Sequence, residues 1–265
     1  MTARDGLRGL SAGIVAGVAG GLFGVGGGLV LVPMLTGFFR LTQHQAHGTS
    51  LAVIGAAALA ALAVYGGHAN VVWTTAAIVG LGSLVAAPLG ARWASRIPAN
   101  RLRRAFALFL ALVALRLLWQ APAVTDHRGL AGATGIASGL LLGLSAGTMA
   151  GFMGVGGGMI MVPVFTLVFG MSQQAAQGTS LAVILVTAPS AALEHARHGN
   201  VAWRLVPMLA VGAAVGAPLA SWVAQGLPHA WLVRGFAVFL LATSVRTWTK
   251  AARSVAPPVS LDRGR

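Results

Sequence analysis

The sequence predicts an all-α polytopic membrane protein of two inverted repeats, each a broken, re-entrant helical hairpin followed by three transmembrane helices. Three observations predict it. Hydrophobic residues make up 57% of the 265 residues and charged ones only 8%, against roughly 25% charged in a soluble domain. Apolar runs of the kind that span a bilayer, about twenty residues each, recur at 10–39, 48–65, 71–91, 106–119, 130–169, 178–193, 201–224 and 231–249. A soluble fold would need a larger core than this chain can enclose. The chain also repeats itself. Placing Gly24 over Gly154 aligns 13–116 with 143–246 without a gap, and about forty of about a hundred pairs are identical. The expected organisation is a first membrane repeat at 9–120, a linker at 121–129, a second repeat at 130–250 and a basic, flexible tail at 251–265.

The first run of each copy is too long for one crossing and is interrupted at its middle. GLFGVGGGLVLVP (21–33) returns as GFMGVGGGMIMVP (151–163). Glycine pays the largest entropic penalty in a helix and takes positive φ readily, so four glycines in five residues favour a turn. Non-helical backbone at membrane depth is tolerated only where protein buries it or where it lines a polar cavity. Gly24 with Pro33, and Gly154 with Pro163, mark the breaks. New helices begin at Gly28 and Gly158, and their free N–H groups suit an anion. Gly26, Gly27 and Gly28, with Gly156, Gly157 and Gly158, are therefore candidate backbone ligands. Gly13, Gly17 and Gly21, and their partners Gly143, Gly147 and Gly151, recur at every fourth position and read as a close-packing face. A phosphate loop is excluded, since no Gly-Lys-Ser/Thr follows GVGGG and no strand precedes it.

Charge placement chooses between two topologies. If the first run crosses once, each copy has four crossings, the repeats are parallel, and eight full crossings split the cations almost evenly. If it enters and leaves on one side, each copy has three crossings and the second copy is inverted. Of the 18 Lys and Arg residues, only Arg116, Arg128 and Arg234 then fall outside, and the positive-inside rule prefers this arrangement. The opening MTARDGLRGLSAGIV has the basic start and apolar stretch of a signal peptide. Its run continues through the glycine break and has an internal copy, so it is read as structural.

The second run opens on QHQAHGTS (43–50), matched by QQAAQGTS (173–180). Gly48, Thr49 and Ser50, with Gly178, Thr179 and Ser180, combine donors with little bulk, which suits a small anion. The plainer alternative is that the hydroxyls bond their own helix backbone. A His47–Ser50 hydrolytic pair lacks a carboxylate to orient it, and His47 is replaced by Gln177 in the second copy. In the third run His68, Asn70 and Trp73 match His198, Asn200 and Trp203 as interfacial anchors. The last run of each copy ends near Arg116 and Arg246, which snorkel to headgroups or attract anions.

What is absent narrows the function. The chain has no cysteine, which excludes disulfides, thiolate metal sites and a cysteine nucleophile. The formal charge of +14 lies at the ends of apolar runs and fits loops against anionic headgroups rather than nucleic acid. The four acids are Asp5, Asp126, Glu194 and Asp262. Only Glu194 nears the membrane, as an interfacial salt-bridge partner, whereas cation pumps place acids inside the bundle. An anion or neutral cargo is favoured, with no enzyme activity, metal or cofactor.

The duplicated G-x-G-G-G-x-x-x-x-P, as GVGGGLVLVP and GVGGGMIMVP, resembles the TauE/SafE sulfite exporter family, also known as the toluene sulfonate uptake permeases. AHGTSL (46–51) and AQGTSL (176–181) are similar to that family too. The resemblance covers residue 9 to about 249. It implies an inner-membrane permease for a small sulfur-containing oxyanion, such as sulfite or an organosulfonate. The expected mechanism is alternating access around one central site lined by the residues named above, with an anion channel as the alternative. Membrane lipids are the expected partners, and a homodimer is one arrangement left open.

Overall fold

The structure is a computed structural model that describes residues 3–94, 99–119, 130 and 132–253. The expected linker with Arg128, and Arg96, lie outside the described residues, as does the tail beyond Arg253. Ten α-helices are described: α1 Ala3–Phe23, α2 Gly28–Gly37, α3 Gln43–Gly67, α4 Trp73–Trp93, α5 Ala99–Trp119, α6 Gly132–Met153, α7 Gly158–Leu167, α8 Gln173–Arg197, α9 Val206–Gly226 and α10 His229–Arg253. Seven of them, α1, α3, α4, α6, α8, α9 and α10, are long and apolar enough to cross a membrane. The chain is an integral membrane protein.

The two long runs expected at 10–39 and 130–169 are each two helices. The second member of each pair, α2 or α7, has 10 residues. At 1.5 Å per residue it is about 15 Å long, half of a hydrocarbon core about 30 Å thick. Such a helix cannot cross alone.

Helix ends follow local chemistry. The α3 helix starts earlier than its apolar run because Thr42 caps it: the Gln45 N–H donates to Thr42 Oγ1 at 3.3 Å, and the Thr42 N–H to Gln45 Oε1 at 3.2 Å. Ser172 caps α8 through the Ala175 N–H at 3.2 Å. The α9 helix starts later than expected because Pro207 presets its first turn, leaving Trp203–Leu205 in a turn. The anchors His68 and His198 close helix ends, with Nδ1 at 2.8 Å from Val64 O and 2.9 Å from Glu194 O.

Small residues bring the helices together. A side chain on Gly13, Gly17 or Gly21 of α1 would run into the backbone of Leu209, Ala213 or Ala217 on α9. On α6, Gly143, Gly147 and Gly151 meet Val79, Ser83 and Ala87 of α4 in the same way. In lipid no hydrophobic difference drives helices together, so backbone proximity must supply the attraction. Residue numbers rise together in both contacts, so α1 is parallel to α9 and α6 to α4. In contrast, α3 and α8 run antiparallel: Gly48 lies against His195, Gly55 against Pro189 and Gly178 against Tyr65.

Candidate functional site

Both glycine breaks form sharp, left-handed corners. Gly24, Gly26 and Gly27 have φ of 69°, 75° and 80°, and Gly154, Gly156 and Gly157 have 70°, 81° and 79°. L-residues with side chains rarely tolerate this region. Gly27 and Gly157 then act as left-handed N-caps of α2 and α7, with no side chain bonding the helix end. The ladder of α2 begins with Val30 and Leu31 N–H donating to Gly27 O, and that of α7 with Ile160 and Met161 to Gly157 O. The N–H groups ahead of these lie at a helix start and have no partner within the helix. A helix start of this kind presents donors suited to an anion.

The two corners meet. A Cβ on Gly28 would lie 2.7 Å from Gly154 O, and one on Gly158 would lie 2.8 Å from Gly24 O. A Cβ on Gly26 would touch Ile54, and one on Gly156 would sit 3.5 Å from both Ile54 and Ile184. These isoleucines lie near the midpoints of α3 and α8. The corners therefore sit where the two long helices cross, about 11 residues from the start of either.

The GTS strings are what each half extends to the corner of the other. Ser50 Oγ donates to Gly154 O at 2.9 Å, and Ser180 Oγ donates to Gly24 O at 2.8 Å. Thr49 Oγ1 accepts from the Ala202 N–H at 2.9 Å, and Thr179 Oγ1 from the Val72 N–H at 3.0 Å. Gly48 and Gly178 let the carbonyls of Asn200 and Asn70 approach closely. All four hydroxyl residues are fully buried. The structure thus brings the corners and GTS strings together, with the serine protons committed to protein carbonyls.

A cavity of about 430 Å³ runs up to these corners from the end of the bundle where α3 begins and α10 ends. Val155, inside the second corner, lines its deep end with Phe152, Met153 and Leu29. Of the residues singled out from sequence as ligands or breaks, Pro33 lines it. Its polar wall combines Gln43, His44 and His47 of the QHQAHGTS string and Arg246, which the sequence offered as an anion attractor, with Thr243 and Thr247, which sequence reasoning missed. One signal was legible, because His44 and His47 are among the places where the two copies differ, standing opposite Gln174 and Gln177.

Phe239 of the cavity wall stacks on Phe23 at 4.6 Å, and Phe23 tilts against Phe236 at 5.9 Å. Gln173, the counterpart of Gln43, is completely buried. Tyr65 Oη lies 2.9 Å from Gly21 O and 2.9 Å from Gln177 Oε1. Its counterpart His195 places Nε2 3.0 Å from Gly151 O. Glu194 is buried and bonded to Arg92 Nε at 2.7 Å and Arg197 at 3.3 Å, which ties α4 to α8.

The model of the family described as Sulfite exporter TauE/SafE matches residues 2–117 and 139–263. A probable membrane transporter protein of Bacillus subtilis, YunE, is 29% identical over 79% of this chain and 85% of its own length. A probable membrane transporter protein of Xylella fastidiosa (strain 9a5c) is 29% identical over 90% of this chain and 95% of its own. One from Methanocaldococcus jannaschii, MJ0441, is 26% identical over 58% of this chain and 59% of its own. No solved structure matches.

Proposed function

The chain belongs to the sulfite exporter TauE/SafE family, and we propose that it carries a small sulfur-containing oxyanion, such as sulfite or an organosulfonate, across the bacterial inner membrane. Membership of that family makes it a membrane transporter rather than a member of an enzyme class. The observation that carries the finer reading is the meeting of two left-handed glycine corners where α3 and α8 cross, beneath a cavity that opens at one end.

The two halves are inverted repeats in this reading. The α1–α2 pair enters from one face, turns at Gly24–Gly27 and returns to that face. Its support is dimensional: α1 follows α9 from Met208, near the start of α9, to Ala217, near its middle. The return helix α2 then has about half a membrane to cover. The opposite directions of α3 and α8, and the reciprocal corner contacts, fit the same pseudo-twofold relation.

Cargo sits against the N–H groups of Gly26–Gly28 and Gly156–Gly158. Ser50 and Ser180 hold the corner carbonyls, while Thr49 and Thr179 hold the loops behind them. Neutral donors suit an anion that must leave again, since a buried bidentate cation would hold it too firmly. The cavity open at the end where α3 begins, and the fully buried Gln173 at the other end where α8 begins, describe one state of an alternating cycle. The cavity faces the side the arginines assign to the cytoplasm.

Proteoliposome counterflow tests this. Preloaded sulfite should accelerate uptake of labelled sulfite. Equal uptake into loaded and empty vesicles would instead support a channel, and no saturable uptake of sulfite, sulfoacetate, taurine, thiosulfate or sulfate would reject the cargo class.

A further inference from the structure

Resting on that transport reading, we propose that Arg246, with His44 and His47, forms an anion-capture station at the mouth of the cavity, separate from the glycine corners. Arg246 stands near the end of α10, and both histidines stand in the first turns of α3, so two helices bring three nitrogenous groups to one cavity. Gln43, Thr243 and Thr247 add neutral polar groups.

Among the described residues no acid lines this cavity. Among the described residues Arg246 makes no ion pair, whereas the buried carboxylate of Glu194 is engaged by Arg92 and Arg197. The rest of the lining is largely apolar, including Phe106, Phe152 and Phe239. A cation at the rim of a low-dielectric concavity, with no counter-charge inside, focuses a positive potential into it. Arg246 is itself exposed, so an anion held there keeps part of its hydration and can move inward.

The duplication sharpens the assignment. Arg116, the repeat partner of Arg246, lines no part of this cavity, and the positions of His44 and His47 hold Gln174 and Gln177 in the other half. At these two repeat positions only the first half carries imidazoles. The station therefore sets the sign of charge admitted and the rate of capture from that side, while the corners hold the ion during the cycle.

Arg246→Gln and Arg246→Lys in the full-length protein, reconstituted and assayed from the cavity side with sulfite at several salt concentrations, test this. R246Q should raise the KM about tenfold, as expected for a lost charge-assisted contact. Its maximal rate should change little, and its dependence on salt should flatten. R246K should stay within about threefold of the wild type. Unfolding temperatures without ligand should match for all three, which separates lost capture from lost folding. If the wild type fails to bind or move sulfite and sulfonates alike, the transport reading falls. If it transports and R246Q keeps the wild-type KM and salt dependence, the capture station alone is wrong. Equal loss in R246Q and R246K with lowered unfolding temperature would also overturn it, because the residue would then be structural.

Discussion

The crossed serine bonds are the most exposed point of the reasoning. Ser180→Ala removes the donor at 2.8 Å from Gly24 O, and Ser50→Ala removes its counterpart at 2.9 Å from Gly154 O. Each serine is fully buried, so water cannot take over the vacated position. The bond itself contributes about 0.5–1.5 kcal/mol net, and a buried acceptor left alone costs about 1–3 kcal/mol. Each single variant should lose about 1–3 kcal/mol of stability, and the two losses should add unless the touching corners couple them. Equilibrium unfolding in mixed micelles measures this. Because the bond shapes a corner, anion affinity should also weaken, by up to about tenfold, at unchanged stoichiometry. Calorimetry on S50A, S180A and the double variant decides. Stability within about 0.5 kcal/mol of the wild type would show that the bonds hold nothing. A stoichiometry falling to half in either single variant would reject one shared central site.

Three further predictions follow from the packing. Gly27→Ala places its Cβ on the Ala16 carbonyl, whereas Gly157→Ala places it 2.8 Å from Ala146 O. Both residues have positive φ, so both variants should lose transport and G27A should also lose more folded protein by gel filtration; Asp at either position should abolish anion binding even where folding survives. Glu194→Gln removes the charge between Arg92 and Arg197, and because both arginine side chains are more than half exposed the loss should be at the low end for a broken ion pair, about 1–2 kcal/mol in the same unfolding assay. In the cysteine-free chain, single cysteines at 40 and 128 should react with an impermeant reagent from opposite faces, and labelling from one face would defeat the inverted topology.

Much of this protein is legible in its residues because the governing forces are local. Composition alone places the chain in a bilayer, since backbone polar groups there must be satisfied within helices. The glycine corners are legible because GVGGG leaves few good helix formers in two places, and the positive φ of Gly24, Gly26 and Gly27 matches that preference. The fourfold spacing of Gly13, Gly17 and Gly21 announces a close-packed face, but not that α9 is what packs there.

What the tertiary structure decided is the choice of partner. From sequence, Ser50 and Ser180 face either cargo or their own helix. In the fold they donate instead to carbonyls 104 and 156 positions away. Thr187 and Thr166, with the same chemistry, bond their own helices. A hydroxyl's partner is whichever carbonyl the helix crossing places within 3 Å, and no local pattern encodes that distance. The cavity follows the same rule. Repeat partners such as Arg246 and Arg116, or Gln43 and Gln173, are identical in type, yet one of each pair lines the cavity and the other does not. Two homologous halves packed in one state need not be equivalent, so which member faces the cavity is a property of the packed whole.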